Sequence, residues 1–166
     1  MAQIAYRVAQ FQAALHAVIS PAEEALAQQT LTSGEYTLFR RMPIYDQRHC
    51  LDVYATLVAT GTRDDLLLRA ALIHDCGKVG DDGSPMPLHW YVAITILKQL
   101  PILYIALARP GTPLPLVQRY AEHAWRGAHL AAQAGCPPEM VTTLRHYHDP
   151  HPTGRAARLQ WADQQH

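Results

Sequence analysis

Charge is scarce in this chain. Only 17% of its residues are Asp, Glu, Lys or Arg, and 14 basic side chains are balanced by 14 acidic ones. No run of lysines and arginines stands out, so the electrostatic footprint of a large nucleic acid is missing. A small nucleotide, which one or two cations can hold, is not excluded. Cysteine is scarce too: Cys50, Cys76 and Cys136 are odd in number, far apart and outside any C-x-x-C pattern. They read as free thiols in a reducing compartment. The opening residues, MAQIAYRVAQ, lack the apolar stretch of a secretory signal, which with the thiols gives a cytoplasmic expectation. No pair of β-alternating segments flanks a tight hairpin turn, and the glycine patterns of Rossmann and P-loop folds are missing as well.

Apolar residues and histidines are abundant instead. Of 166 residues 49% are hydrophobic, enough for one domain with a real core, and ten are histidine. Nearly every segment carries apolar residues at helical spacing. Helices are expected over 4–18, from a Ser20-Pro21-Ala22-Glu23 capping box to about Leu31, and from Glu35 to Arg41. Another is expected from Pro43 to Thr60, with Ile44, Cys50, Val53, Leu57 and Val58 near one face. Asp64 caps the next, over 65–76, and a glycine- and proline-rich loop follows over 77–87. Further helices are expected over 116–134, 138–148 and from Gly154 nearly to the end. The expectation is a single all-α domain, a compact bundle of about seven to nine helices. Residues 1–42 read as a helical extension packed on a core of residues 43–166.

The stretch LHWYVAITILKQLPILYIALA (88–108) is apolar over about a membrane's thickness. Lys98, Gln99 and Pro101 divide it into two segments too short to span. It reads as a packed helical hairpin, with a homodimer contact or a peripheral membrane contact as the functional alternatives. Trp90, Trp125, Trp161 and Tyr147 read as core aromatics, with stacking on a base as their functional alternative.

The chemistry concentrates at LIHDCGKVG (72–80). A nearly uninterrupted apolar run ends in adjacent ionisable residues, and an unpaired buried charge costs several kcal/mol. A bound cation is one partner for them. His49 sits on a helix with an apolar face, His74 and Asp75 close the next helix, and Asp163 lies on the last. One imidazole, an imidazole with a carboxylate, and a further carboxylate would make a compact N/O site for Mn, Fe, Mg, Co or Zn with room for water.

These residues, in this order and with Gly77 and Lys78 after the pair, resemble the HD-domain metal-dependent phosphohydrolase superfamily. The stretch AALIHDCGKVG is very like that family's signature, and the likeness extends over about residues 45–165. It implies an HD-domain-like bundle in which His49, His74, Asp75 and Asp163 ligate a divalent metal. Two-metal members add histidines from the intervening helices; here EHAWRGAHLAAQAGCPPEMVTTLRHYHD (122–149) offers His123 and His148, with His146 as rival to the second, and Asp75 would bridge. The implied activity is hydrolysis of a small phosphoester, a nucleotide among the candidates, by metal-activated water. Asp75 and Lys78 are the implied catalytic residues, Lys78 as a mobile point charge for phosphate. Arg48 and Arg145 are further candidates to point into the pocket. Asp75→Ala is expected to lose metal and activity with the fold largely intact.

The resemblance has departures. Tyr147 stands where cyclic-dinucleotide hydrolases of the family carry a histidine, and their G-Y-P run is missing, which argues against that substrate. Two other classes remain open. His49, His74, Asp75, His123, His148 and Asp163 match the four-histidine, two-aspartate set of HD-like di-iron oxygenases. A non-catalytic module binding a nucleotide or a protein is the third.

Overall fold

Side-chain caps set the early helices. In the computed structural model, which describes residues 16–166, the Ser20 hydroxyl accepts from the Glu23 N–H while the Glu23 carboxylate accepts from the Ser20 N–H, opening α1 (Pro21–Thr30). Thr32 and Glu35 repeat the device at α2 (Ser33–Arg41). Next comes α3 (Ile44–Ala59), and Asp64 then caps α4 (Asp65–Ile73) by accepting from the Leu67 N–H. Prolines start most of the later helices: α5 (Leu88–Leu97) follows Pro87, and α6 (Pro101–Leu107), α7 (Pro115–Gln133) and α8 (Pro138–His146) carry proline in the first turn. The last helix is α9 (Gly154–Asp163). Among the described residues the fold is therefore an all-α bundle of nine helices and one 3₁₀ turn, with no strand. The helix expected over 4–18 falls, up to residue 15, outside the described residues, and residues 17–20 are not helical.

One boundary matters for function. The helix expected over 65–76 stops at Ile73. Asp75 leaves helical geometry at φ −92°, ψ 0°, and Cys76–Lys78 forms a 3₁₀ turn. That turn lies against α7 at Gly77, where a side chain would collide with α7 backbone.

The main core gathers Phe39, Leu57, Leu67, Leu72, Ile73, Met140, Leu144 and Leu159 around α4. Helices α2, α3, α8 and α9 all pack on α4, so its C-terminal end is the middle of the molecule. A smaller core of Met86, Ile94 and Val117 lies under α5 and α6. On α3 the expected face holds for Cys50, Val53 and Leu57, but Ile44 and Val58 are exposed. Trp125 and Trp161 are exposed rather than core.

Glu35 is fully buried and takes a two-pronged bond from Arg69, at 2.5 and 3.0 Å, tying α2 to α4. Removing one partner strands the other without solvent. Arg69→Met should cost about 3–5 kcal/mol in urea unfolding, and adding Glu35→Gln, which removes the stranded charge and keeps an acceptor for the Thr32 N–H, should recover part of it.

Candidate metal centre

Asp75 is the hub. It is buried, and its two oxygens face different partners. Oδ1 lies 3.6 Å from His74 Nε2 and 3.6 Å from His123 Nε2. Oδ2 lies 3.7 Å from His49 Nε2 and 2.6 Å from Lys78 Nζ. Asp163, at the end of α9, places Oδ1 2.9 Å from His49 Nε2 and 3.6 Å from His74 Nε2. Residues from α3, the end of α4 and α9 thus converge on one volume. His49 and Asp163 form its partly open side, while His74 and Asp75 form its floor.

The donor set fits a divalent ion on three counts. First, His74 Nδ1–H donates to the Ala71 carbonyl at 2.8 Å, which leaves Nε2 as the atom free to ligate, buried and with no hydrogen-bond partner among the described residues. Its neighbours Asp75 and Asp163 favour positive charge there, which a divalent ion would supply. An orphaned buried polar atom costs about 1–3 kcal/mol, and a backbone-anchored Nδ1–H is the usual support of a ligating histidine. Second, two ligands of one ion held at about 2.1 Å lie no more than roughly 4.2 Å apart. Asp163 Oδ1 lies inside that limit from both His49 and His74, and these three residues form one group able to hold an ion; Asp75 approaches His74 and His49 through different oxygens and stands outside that group. Third, the donors are imidazole and carboxylate, the types that bind borderline and hard divalent ions. A second group, Cys50, His74 and Asp75, is also close enough to coordinate an ion. There the thiol approaches His74 at Nδ1, 3.5 Å away, whose proton is already given to Ala71. Burial also pushes the Cys50 thiol up, which opposes the thiolate that a metal would need. The His49, His74, Asp163 group is the better fit.

His123 and His148 come together beside Asp75. His123 Nδ1–H donates to the Tyr120 carbonyl at 2.5 Å. Its Nε2 therefore accepts, from Tyr147 O–H at 2.8 Å and from His148 Nε2–H at 3.1 Å. His146 does not join them: it is exposed and pairs with Asp149 at 2.8 Å. The helix ends at His146, so His148 escapes the helical facing that would separate it from the cluster. Arg48 turns away to Glu23 and Asp52, and Arg145 is exposed.

Lys78 corrects an expectation. It is not a mobile, exposed charge but a buried one, clamped on Asp75 and lying over the rings of Tyr91 and Tyr120 at 5.1 and 5.5 Å. Behind it Tyr91 O–H reaches both oxygens of the buried Asp46 at 2.8 Å. Sequence reading missed Asp46, Tyr91, Cys50 and the hydrogen-bonding role of Tyr147. Burial would raise the Asp75 carboxyl, but the Lys78 ammonium and the surrounding imidazoles hold it well below the usual range. Asp46 is pushed up to about 6, chiefly by burial and with help from the Asp75 charge, against the opposing pull of Lys78 and Tyr91.

His123 is driven down to about 3, first by burial and then by Lys78. A base with a lowered native pKa contributes stability that is whole above its unfolded value of about 6.5 and shrinks as pH falls toward the native one. In metal-free protein the stability advantage of wild type over His123→Gln should therefore narrow below pH 6.5, by about 1.4 kcal/mol per pH unit. Urea unfolding from pH 7 to 5 measures this; a constant gap would mean that His123 is not held neutral.

No protein-family model, curated protein or solved structure matches the chain. Two observations therefore stand by themselves: the bundle is all-helical, and it gathers two His/Cys/Asp clusters able to coordinate a metal ion.

Proposed function

We propose that the chain is an HD-type metal-dependent phosphohydrolase that cleaves a small phosphoester, a nucleotide among the candidates. The observation that carries this reading is the buried, partnerless His74 Nε2, set among His49, Asp75 and Asp163 on a stretch resembling the HD signature. His49, His74, Asp75 and Asp163 would hold one ion, and His123 with His148 would serve a second that shares Asp75. When bound, a divalent ion lowers the pKa of water toward neutrality and draws charge from a phosphoryl oxygen.

The side chains supply the rest. Lys78 keeps Asp75 ionised, so its carboxylate can orient the attacking water and accept a hydrogen bond from it. Lys78 thereby acts through Asp75 rather than by reaching for phosphate. The Tyr120 carbonyl fixes the ring of His123 through Nδ1, while Tyr147 O–H and His148 hold the Nε2 lone pair that a second ion would take over from them. The exposed edges of His49, Asp163 and His148 leave entry for a small phosphoryl group at that rim. The six-donor set of four imidazoles and two carboxylates also supports a second reading, a di-iron oxygenase, which iron at two per chain with an oxygen-sensitive optical spectrum would favour.

The deciding experiment counts metal per chain in protein purified without chelator, beside hydrolysis of phosphomonoester and phosphodiester probes with Mn, Fe or Co. Two ions in wild type, falling to one in His123→Ala with His148→Ala, are expected. No metal in either protein after incubation with these ions would overturn the reading.

A further inference from the structure

Helix α6 breaks a rule of packing. Its seven residues, PILYIAL, are apolar all round, yet none is buried. A helix without a polar face is normally enclosed by protein or by lipid. Ile102 is 85% exposed, Ile105 57% and Ile96, on the adjoining turn of α5, 64%; Leu100 and Leu103 are exposed between them. Only the inner side of the hairpin, through Ile94, Trp90 and Tyr104, rests on the smaller core. A contiguous apolar face of this kind marks an interaction site.

The charge around it selects the partner. Between Asp82 and Glu122 the chain contains no acidic residue, while Lys98, Arg109 and Arg119 are all cationic. Lys98 closes α5, where its ammonium reaches the Tyr120 hydroxyl at 3.4 Å and lies over the Tyr120 ring at 4.5 Å, and the exposed Arg109 follows α6, so two cations flank the apolar helix at its ends. Apolar side chains between flanking cations match a bilayer with an anionic surface, the former entering the acyl boundary and the latter the headgroups. A second copy of the chain fits poorly. A two-fold contact brings the same patch against itself, and this one would set Lys98 and Arg109 near their own copies with no acid in the segment to pair with them. Insertion across the bilayer is not at issue, since no helix among the described residues is long and apolar enough to cross a membrane.

We propose that the α5–α6 hairpin is a peripheral docking surface for an anionic lipid bilayer. The inference is independent of the chemistry assigned to the metal centre. The test is cosedimentation of the full chain with vesicles of phosphatidylcholine alone and of phosphatidylcholine mixed with phosphatidylserine. Binding to the mixed vesicles is expected, weakening as salt is raised. Lys98→Ala and Arg109→Ala should each reduce it roughly fivefold. Ile102→Glu with Ile105→Glu should reduce it at least about tenfold, since both charges would enter the acyl boundary. These positions are exposed, and a circular dichroism melt unchanged from wild type confirms that the fold is kept. Absence of binding to either vesicle, or equal binding by wild type and the double glutamate variant, would overturn the proposal. A vesicle-free dimer that Ile102→Glu dissociates, with no binding to lipid, would overturn it in favour of a second copy of the chain.

Discussion

Asp75→Ala is expected to yield protein without bound metal, with phosphoester hydrolysis reduced at least roughly a thousandfold, the scale of several kcal/mol of lost charge stabilisation. The same substitution should weaken the fold, which sequence reading did not anticipate. Among the described residues Asp75 is the only carboxylate that touches Lys78, at 2.6 Å, and both groups are buried. Cutting the carboxylate leaves an ammonium held by two ring faces and the more distant Asp46. Stranding one member of a buried pair costs about 3–5 kcal/mol. Two effects are then superimposed, and a loss of activity alone would not separate them. Adding Lys78→Met to Asp75→Ala removes the stranded charge, so most of the stability should return while metal remains absent. Urea unfolding and elemental analysis on the same samples distinguish the two. Metal and hydrolysis retained in Asp75→Ala would end the assignment of this carboxylate. Stability not regained in the double variant would mean that Lys78 is held by something other than Asp75.

The contrast between what the chain disclosed and what it hid has a physical pattern. Local signals were readable: the Ser20–Glu23 box, the Asp64 cap, the break before Pro101, and the three-to-four-residue spacing of apolar side chains that goes with helix. The four residues His49, His74, Asp75 and Asp163 were also readable, because a familiar signature stands at the end of an apolar run. Lost were features decided by elements far apart in sequence. Lys78 read as a mobile phosphate contact in a glycine-flanked turn. Its burial depends on Tyr91 and Tyr120, which arrive from α5 and α7. Asp46 carried no signal in the sequence, and its burial and its bond from Tyr91 O–H appear only in the fold. The layout of the resembled family favours His148 over His146, and the structure sets His148 beside His123 because the helix ends before it. The apolar stretch 88–108 was rightly split in two, but periodicity could not say that α6 would be left outside both cores.

Gly77→Ala should be the most damaging single-carbon change in the molecule, and its neighbour Gly127→Ala among the most benign. The two glycines face each other where the Cys76–Lys78 turn meets α7. A Cβ on Gly77 would fall within 2.5 Å of the Gly127 nitrogen and still closer to the His123 carbonyl oxygen. Both obstacles are helix backbone, which cannot swing aside as a side chain can. Overpacking usually costs about 1–3 kcal/mol, and here the turn itself must lift from α7, so a loss at the top of that range or above is expected. The lift also moves Asp75 away from His123, so metal binding should fall with stability. A Cβ on Gly127 meets Cys76 Sγ, the Gly77 nitrogen and the His74 carbonyl oxygen, each at 3.5 Å, which is ordinary contact. Because Gly127 lies inside α7, alanine there regains helix propensity of up to about 1 kcal/mol. Urea unfolding of the two variants should therefore move in opposite directions from wild type, or leave Gly127→Ala unchanged. Equal destabilisation by both would show that the turn and α7 are not in the close register described. A Gly77→Ala protein as stable as wild type would show that the turn can separate from α7 without loss, and that the placement of Asp75 does not depend on it.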